Sequence, residues 1–83
     1  MKFEFYFISS EGYQKSEYCA VEVVHNEIPA DVIKNTIYAK SKFEPIHTDW
    51  CDELFTYGGS TFTNGKRYAH IKNIGNEIYV YEM

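Results

Sequence analysis

The sequence predicts an α+β fold in which an antiparallel β-sheet of four to five strands carries one main α-helix packed on one face. Three observations support this prediction: alternating polarity near both chain ends, a proline-led helical pattern between them, and glycine-containing turns in the C-terminal third. With 83 residues, the chain is shorter than the typical domain of about 100 to 150 residues. We therefore expect residues 1–83 to form a single compact domain with the element order β-β-α-link-β-β-β.

The N-terminal segment alternates without interruption over residues 2 to 9, which predicts a strand. Phe5 and the phenylalanines two residues to either side of it share one face of this strand. Residues 9 to 12 contain serine and glycine and favour a turn, and residues 17 to 25 alternate again. The first two strands are therefore predicted to pair as a β-hairpin.

A helix of about three turns is predicted near residues 29 to 40. Pro29 has the fixed φ angle that suits a first helical position, and Asp31 lies where the helix dipole favours a negative charge. Ile33 and Ile37 follow at helical spacing and form an apolar stripe. We expect this stripe to cover the phenylalanine face of the sheet.

Residues 44 to 57 are compatible with two structures. Thr48 or Asp49 can cap a short helix that extends to Leu54, which predicts an extra helical turn near residues 49–54. Leu54 also begins an apolar run that is compatible with a strand. The mixed pattern favours a helical turn followed by an extended segment.

Two turns organise the C-terminal third of the chain. Asn64-Gly65 is the dipeptide most typical of a two-residue hairpin turn. Residues 73 to 76 supply a second turn, in which Gly75 can adopt a positive φ angle. These turns predict a meander of two or three antiparallel strands.

The second turn sets a predicted pairing of residues 66 to 72 with residues 77 to 83. In this pairing Ile71 lies opposite Ile78 on the face toward the core. The other face of the meander carries aromatic side chains, namely Tyr68, His70, Tyr79 and Tyr81.

The patterns of common catalytic and cofactor sites are missing from the sequence. Gly58-Gly59 lacks the Gly-Lys-Ser/Thr ending of a phosphate-binding loop. His47 and Cys51 are four residues apart, but structural zinc sites normally show two paired ligand spacings. We therefore predict a protein that is not an enzyme and that has no cofactor and no metal.

Targeting signals are also missing, since no apolar run approaches the roughly 18 residues that a membrane span requires. We expect a cytoplasmic protein that does not enter the membrane. The 2 cysteines are expected to remain free thiols, as is usual in a reducing compartment.

The net charge of −4 at pH 7 argues against a general binder of nucleic-acid phosphates, which would normally carry a basic patch. Tyrosine, which occurs 8 times, supplies rigid contact area with a polar tip and is enriched at interfaces. The predicted tyrosine-rich face has two possible roles. It either binds a partner or packs against residues 43 to 57, which contain several large apolar side chains.

These features favour a small non-catalytic inhibitor that acts by contact on a larger protein with a basic surface. Phage anti-defence proteins, such as anti-CRISPRs, and immunity proteins against nuclease toxins have this profile. A nucleic-acid or nucleotide binder is the alternative, with bases stacked on the tyrosines. The residues predicted to contact the partner are Tyr68, Tyr79, Tyr81, His70, Asp49, Asp52 and Glu53.

Overall fold

The computed structural model describes residues 1–9 and 17–83, so most of the predicted turn at residues 9 to 12 lies outside the described residues. The secondary-structure elements, in chain order, are β1 (Lys2–Ile8), β2 (Glu17–Glu22), α1 (Pro29–Ser41), β3 (Glu44–Pro45), α2 (Trp50–Asp52) with a π-helical turn (Glu53–Tyr57) continuing from it, β4 (Gly59–Thr63), β5 (Tyr68–Ile74) and β6 (Glu77–Glu82).

The α+β class is confirmed, but the sheet is mixed and has 6 strands in the order β2-β1-β6-β5-β4-β3. The prediction of four to five antiparallel strands is therefore wrong in strand number and order. Strand β1 pairs with β2 in antiparallel orientation and with β6 in parallel orientation. The reason lies in the path of the chain. Helix α1 carries it from one edge of the sheet to the other, and the meander from β3 to β6 returns it to β1.

One face of the sheet forms the hydrophobic core. Phe5 of β1 and Ile33 of α1 are both 0% exposed and belong to one cluster. The predicted packing of one main helix on this face is incomplete, because the π-helical turn also contributes Leu54 to the same cluster. Trp50 of α2 also packs edge-on against Phe62, with 5.5 Å between ring centroids.

Helix α1 begins with Pro29, as its sequence indicates, and ends where Lys42 adopts a left-handed conformation with φ 66°. The Lys42 N–H donates to the Tyr38 carbonyl at 2.9 Å, which satisfies one of the last free carbonyls of the helix.

The helical turn predicted near residues 49–54 is present, but the extended segment expected after it is not. The chain stays helical to Tyr57 and widens into a π-helical turn. Gly58 ends this turn with φ 83°, and its N–H donates to the Glu53 carbonyl. This path directs Leu54 into the core, so the next strand begins only at Gly59.

Both hairpins predicted in the C-terminal third are present, although their details differ. The loop between β4 and β5 spans residues 64–67, because the Asn64 side chain accepts hydrogen bonds from the N–H groups of Lys66 and Arg67. Strand β5 therefore starts at Tyr68 and not at Lys66.

The hairpin between β5 and β6 closes with Ile74 paired to Glu77, so Gly75 and its neighbour form a shorter turn than predicted. Ile71 consequently lies opposite Val80, not Ile78. The register differs by two residues, and an even shift leaves every side chain on its predicted face.

No helix within residues 1–9 and 17–83 combines the length and the apolar content needed to cross a membrane.

Candidate functional site

The sheet face opposite the core carries a group of tyrosines and is called the tyrosine face below. Its position follows from strand alternation, since Phe5 and Val80 point into the core and their neighbours point away from it. Helix α1 contributes Ile33 and Ile37 to the core face, and the π-helical turn contributes Leu54. The tyrosine face is defined by Tyr6, Tyr18, Tyr68, Tyr79 and Tyr81.

Four of these rings form a continuous group across three strands. Tyr6 lies at its centre, 4.9 Å from Tyr79 in a stacked arrangement and 5.2 Å from Tyr18 in a tilted one, measured between ring centroids. Tyr79 stacks in turn with Tyr81 at 6.0 Å. The strand register explains the contacts, because Tyr6 is the direct partner of Tyr18 on one side and of Tyr79 on the other.

Two carboxylates lie beside the rings. Glu4 and Glu77 are register partners in the parallel pair of β1 and β6, which places two negative groups side by side. The Tyr18 hydroxyl donates to Glu4 Oε1 at 2.8 Å, and the Tyr79 hydroxyl donates to Glu77 Oε1 at 2.9 Å. Hydrogen bonds to a charged acceptor are among the stronger ones, so they hold these two rings in place.

The carboxylates also change the acidity of the tyrosines. The hydrogen bond to Glu77, together with burial, raises the pKa of Tyr79 to about 12. The hydrogen bond to Glu4 raises the pKa of Tyr18, and burial followed by the charge of Glu4 raises the pKa of Tyr6. The hydroxyls therefore remain protonated donors across the physiological pH range.

The aromatic residues predicted to bind a partner all lie on this face. Tyr68 is 54% exposed and His70 is also exposed, whereas Tyr79 and Tyr81 are half-buried among their neighbours. His70 lies directly opposite Tyr81 in the register of β5 and β6.

Sequence reasoning missed four members of the site: Tyr6, Tyr18, Glu4 and Glu77. Alternation with Phe5 and Cys19 already places Tyr6 and Tyr18 on the outer face of the first hairpin. Their contact with the C-terminal tyrosines depends on the parallel pairing of β1 with β6, which no local pattern in the sequence indicates.

The acidic residues predicted to contact the partner lie elsewhere. Asp49 immediately precedes α2, Asp52 is its last residue, and Glu53 begins the π-helical turn. This segment packs on the core face through Leu54. The structure therefore divides the predicted contact residues into an aromatic group on the tyrosine face and an acidic group on the helical segment.

The alternative in which the tyrosine face packs against residues 43 to 57 is wrong. Phe43 and Leu54 lie in the same buried cluster as Phe5, and Trp50 packs against that cluster. The large apolar side chains of the segment are therefore accommodated on the opposite side of the sheet.

Glu53 belongs to a second polar cluster. Its two carboxylate oxygens lie 3.1 and 3.2 Å from Nδ1 of His47, and its Oε1 accepts a 2.8 Å hydrogen bond from the Ser60 hydroxyl. The hydrogen bond and the charge of Glu53 raise the pKa of His47, while the hydrogen bonds from His47 and Ser60 lower the pKa of Glu53. One ligand atom from Asp49 lies within 4.8 Å of those of His47 and Glu53.

This cluster borders a cleft of about 320 Å³ whose lining includes Tyr57 and His70. The His70 ring extends over Gly59, where a Cβ atom would approach the ring to 3.0 Å. Glycine at this position therefore allows the imidazole to lie across β4 toward the cleft.

The two clusters offer different chemistry. The tyrosine face presents aromatic ring faces beside carboxylates, a combination that attracts ammonium and guanidinium groups. The cluster around Glu53 presents an imidazole and two carboxylates.

No protein-family model, no curated protein and no solved structure matches this chain.

Proposed function

We propose that the chain is a small inhibitor that acts by contact, using its tyrosine face to cover a basic surface of a larger nucleic-acid-handling protein. The observation that carries this proposal is the stacked group around Tyr6 and Tyr79, with Glu4 and Glu77 beside it. Aromatic anchors contribute a large share of binding energy at protein interfaces, and cations bind favourably over their rings.

The charge of the tyrosine face supports a basic partner. By alternation and register, its described charged residues comprise four carboxylates against two ammonium groups, a net charge of −2, namely Glu4, Glu22, Glu44 and Glu77 against Lys2 and Lys72. The whole chain carries −4. A negatively charged face accelerates encounter with a positive protein surface. The same charge repels the phosphate backbone and so disfavours binding of nucleic acid.

One basic residue beside the β4–β5 hairpin is already paired with a carboxylate, which disfavours the nucleic-acid alternative. Arg67, which a nucleic-acid binder would direct at phosphate, forms an ion pair with Glu82 at 3.3 Å. A carboxylate so close to the guanidinium would repel a phosphate group.

A phage anti-defence protein of the anti-CRISPR type would act in this way, because it needs only to occupy the surface that its target uses for nucleic acid. A toxin-immunity protein would use the same kind of contact against a nuclease. Both classes share the predicted mechanism, namely steric and electrostatic occlusion without catalysis.

The proposal is tested by surface plasmon resonance, which measures how fast the purified chain binds to and dissociates from immobilised basic nucleic-acid-handling proteins. The proteins tested include a CRISPR effector and a nuclease toxin. Tyr79→Ala should weaken binding by more than about 1 kcal/mol. Tyr38→Ala is the matched control, since Tyr38 is 44% exposed on α1, which packs on the opposite face of the sheet. Thermal unfolding of each variant separates a binding defect from loss of the fold.

A binding loss of equal size for Tyr38→Ala and Tyr79→Ala would contradict the assignment of the tyrosine face. Tight and salt-sensitive binding to single-stranded DNA or RNA, weakened by Tyr79→Ala, would instead favour the nucleic-acid binder.

A further inference from the structure

We propose that His47, Asp49 and Glu53 form a site for one divalent transition-metal ion of the Zn²⁺ type, at the turn that leads into α2. Each residue offers one ligand atom, and the three atoms lie within 4.8 Å of one another. Imidazole nitrogen and carboxylate oxygen are common zinc ligands, and three protein ligands leave a position for water.

The spacing of His47 and Glu53 already resembles that of two ligands on one ion. Nδ1 of His47 lies 3.1 Å from Glu53 Oε1 and 3.2 Å from Oε2. Two ligand atoms each about 2.0 to 2.1 Å from a tetrahedral zinc ion are about 3.3 to 3.4 Å apart. An ion that replaces the proton shared by this pair would lie off the line that joins the two atoms, so the imidazole ring or the carboxylate must turn to direct its lone pair at the ion.

Surrounding hydrogen bonds hold the ligands in position. Ser60, which is only 5% exposed, donates to Glu53 Oε1 and orients that carboxylate, as an outer-shell partner does in metal sites. The Trp50 N–H donates to the His47 carbonyl at 3.2 Å, and the Glu53 N–H donates to the Asp49 carbonyl at 3.0 Å. The backbone of all three ligand residues is thus tied into one turn.

The donor set determines which cations the site should accept. Mg²⁺ and Ca²⁺ prefer oxygen ligands, whereas an imidazole nitrogen favours Zn²⁺ and its neighbours in the transition series. The group of ligand atoms found among the described residues comprises His47, Asp49 and Glu53 and does not include the thiol of Cys51. The adjacent cleft of about 320 Å³ gives water access to the remaining coordination position.

The experiment is isothermal titration calorimetry of the full chain with ZnCl₂ and separately with MgCl₂. We expect saturable one-to-one binding of Zn²⁺ and no saturable binding of Mg²⁺. His47→Ala and Glu53→Gln should each weaken Zn²⁺ binding at least tenfold, since even outer-shell changes cost about 10- to 100-fold. His25→Ala removes an exposed imidazole outside the cluster and should leave the affinity unchanged.

Asp49→Asn provides a second test and should also weaken Zn²⁺ binding, because it removes a ligand while leaving the contact between His47 and Glu53 intact. Circular dichroism confirms that each variant is folded before titration. An affinity that is the same in the parent, His47→Ala and Asp49→Asn would overturn the site. Loss of Zn²⁺ binding in Cys51→Ser but not in His47→Ala would overturn it as well.

Discussion

The ring of Tyr6 lies almost parallel to the ring of Tyr79, with 4.9 Å between their centroids and 14° between their planes. The two residues are register partners in the parallel pair of strands β1 and β6. Their contact joins the tyrosines of the N-terminal hairpin to those of the C-terminal hairpin. The tyrosine face is therefore a product of both ends of the chain.

Replacing Glu77 by glutamine should lower the pKa of Tyr79. In the parent protein the hydrogen bond to Glu77 and burial raise that pKa from 10.0 to about 12. Glu77→Gln removes the negative charge that disfavours tyrosinate, so the pKa should move back toward 10.0. Tyrosinate absorbance during an alkaline titration measures the change, and Glu22→Gln on the exposed edge strand is the control.

The same pair makes stability depend on alkaline pH. Because the pKa of Tyr79 is raised in the folded state, its contribution to the free energy of unfolding is complete below pH 10.0 and is lost as the pH rises through about 12. The stability difference between the parent and Glu77→Gln should therefore shrink across that interval. A difference that stays constant in urea unfolding from neutral pH to pH 12 would contradict the coupling.

Truncation of Phe5 should destabilise the domain strongly. Phe5 is 0% exposed and lies in the same cluster as Ile33. Phe5→Ala should cost about 3 to 5 kcal/mol of the free energy of unfolding, because it removes a buried ring and leaves a cavity. Urea unfolding measures the loss, and Phe55→Ala, which removes an exposed ring, should cost much less. If Phe5→Ala melts within a degree or two of the parent, the core assignment is wrong.

Charge reversal should affect partner association according to position. Glu77→Lys places a positive charge among the stacked tyrosines and should slow association with a basic partner while reducing its salt dependence. Asp52→Lys changes the net charge equally but lies on the helical segment, so it should slow association less. Stopped-flow kinetics at two ionic strengths provides the comparison. Equal effects of both variants would show that only net charge matters.

The two cysteines should react slowly with thiol reagents in the folded protein. Cys19 and Cys51 are free and partly buried, and burial raises the pKa of both thiols. Since the thiolate is the reactive form, labelling at neutral pH should be slower than that of a small free thiol. In denaturant without reductant, both should react rapidly. A mass deficit of about two daltons, the signature of two thiols joined as a disulfide, would contradict this prediction.

Several features of the fold could be predicted from the sequence because they depend on local periods. Alternation in a strand assigns each side chain to a face whatever its partner strand is, so Phe5 and Tyr79 were placed on the correct faces. The two-residue register error between β5 and β6 left those faces unchanged for the same reason. Pro29 likewise marks the start of α1 through its own φ angle.

The tertiary structure decided which local elements meet. Parallel pairing of β1 with β6 joins segments from opposite chain ends, and short-range turn signals carry no information about such a contact. The π-helical turn brings Glu53 to His47 and Ser60, whereas helical spacing in the sequence suggested His47 with Cys51. The tyrosine face thus takes its residue types from the sequence and its geometry from contacts between distant segments, because side-chain direction is local whereas strand order is not. The cluster around Glu53 joins residues only six and seven positions apart, and its geometry depends on the π-helical turn.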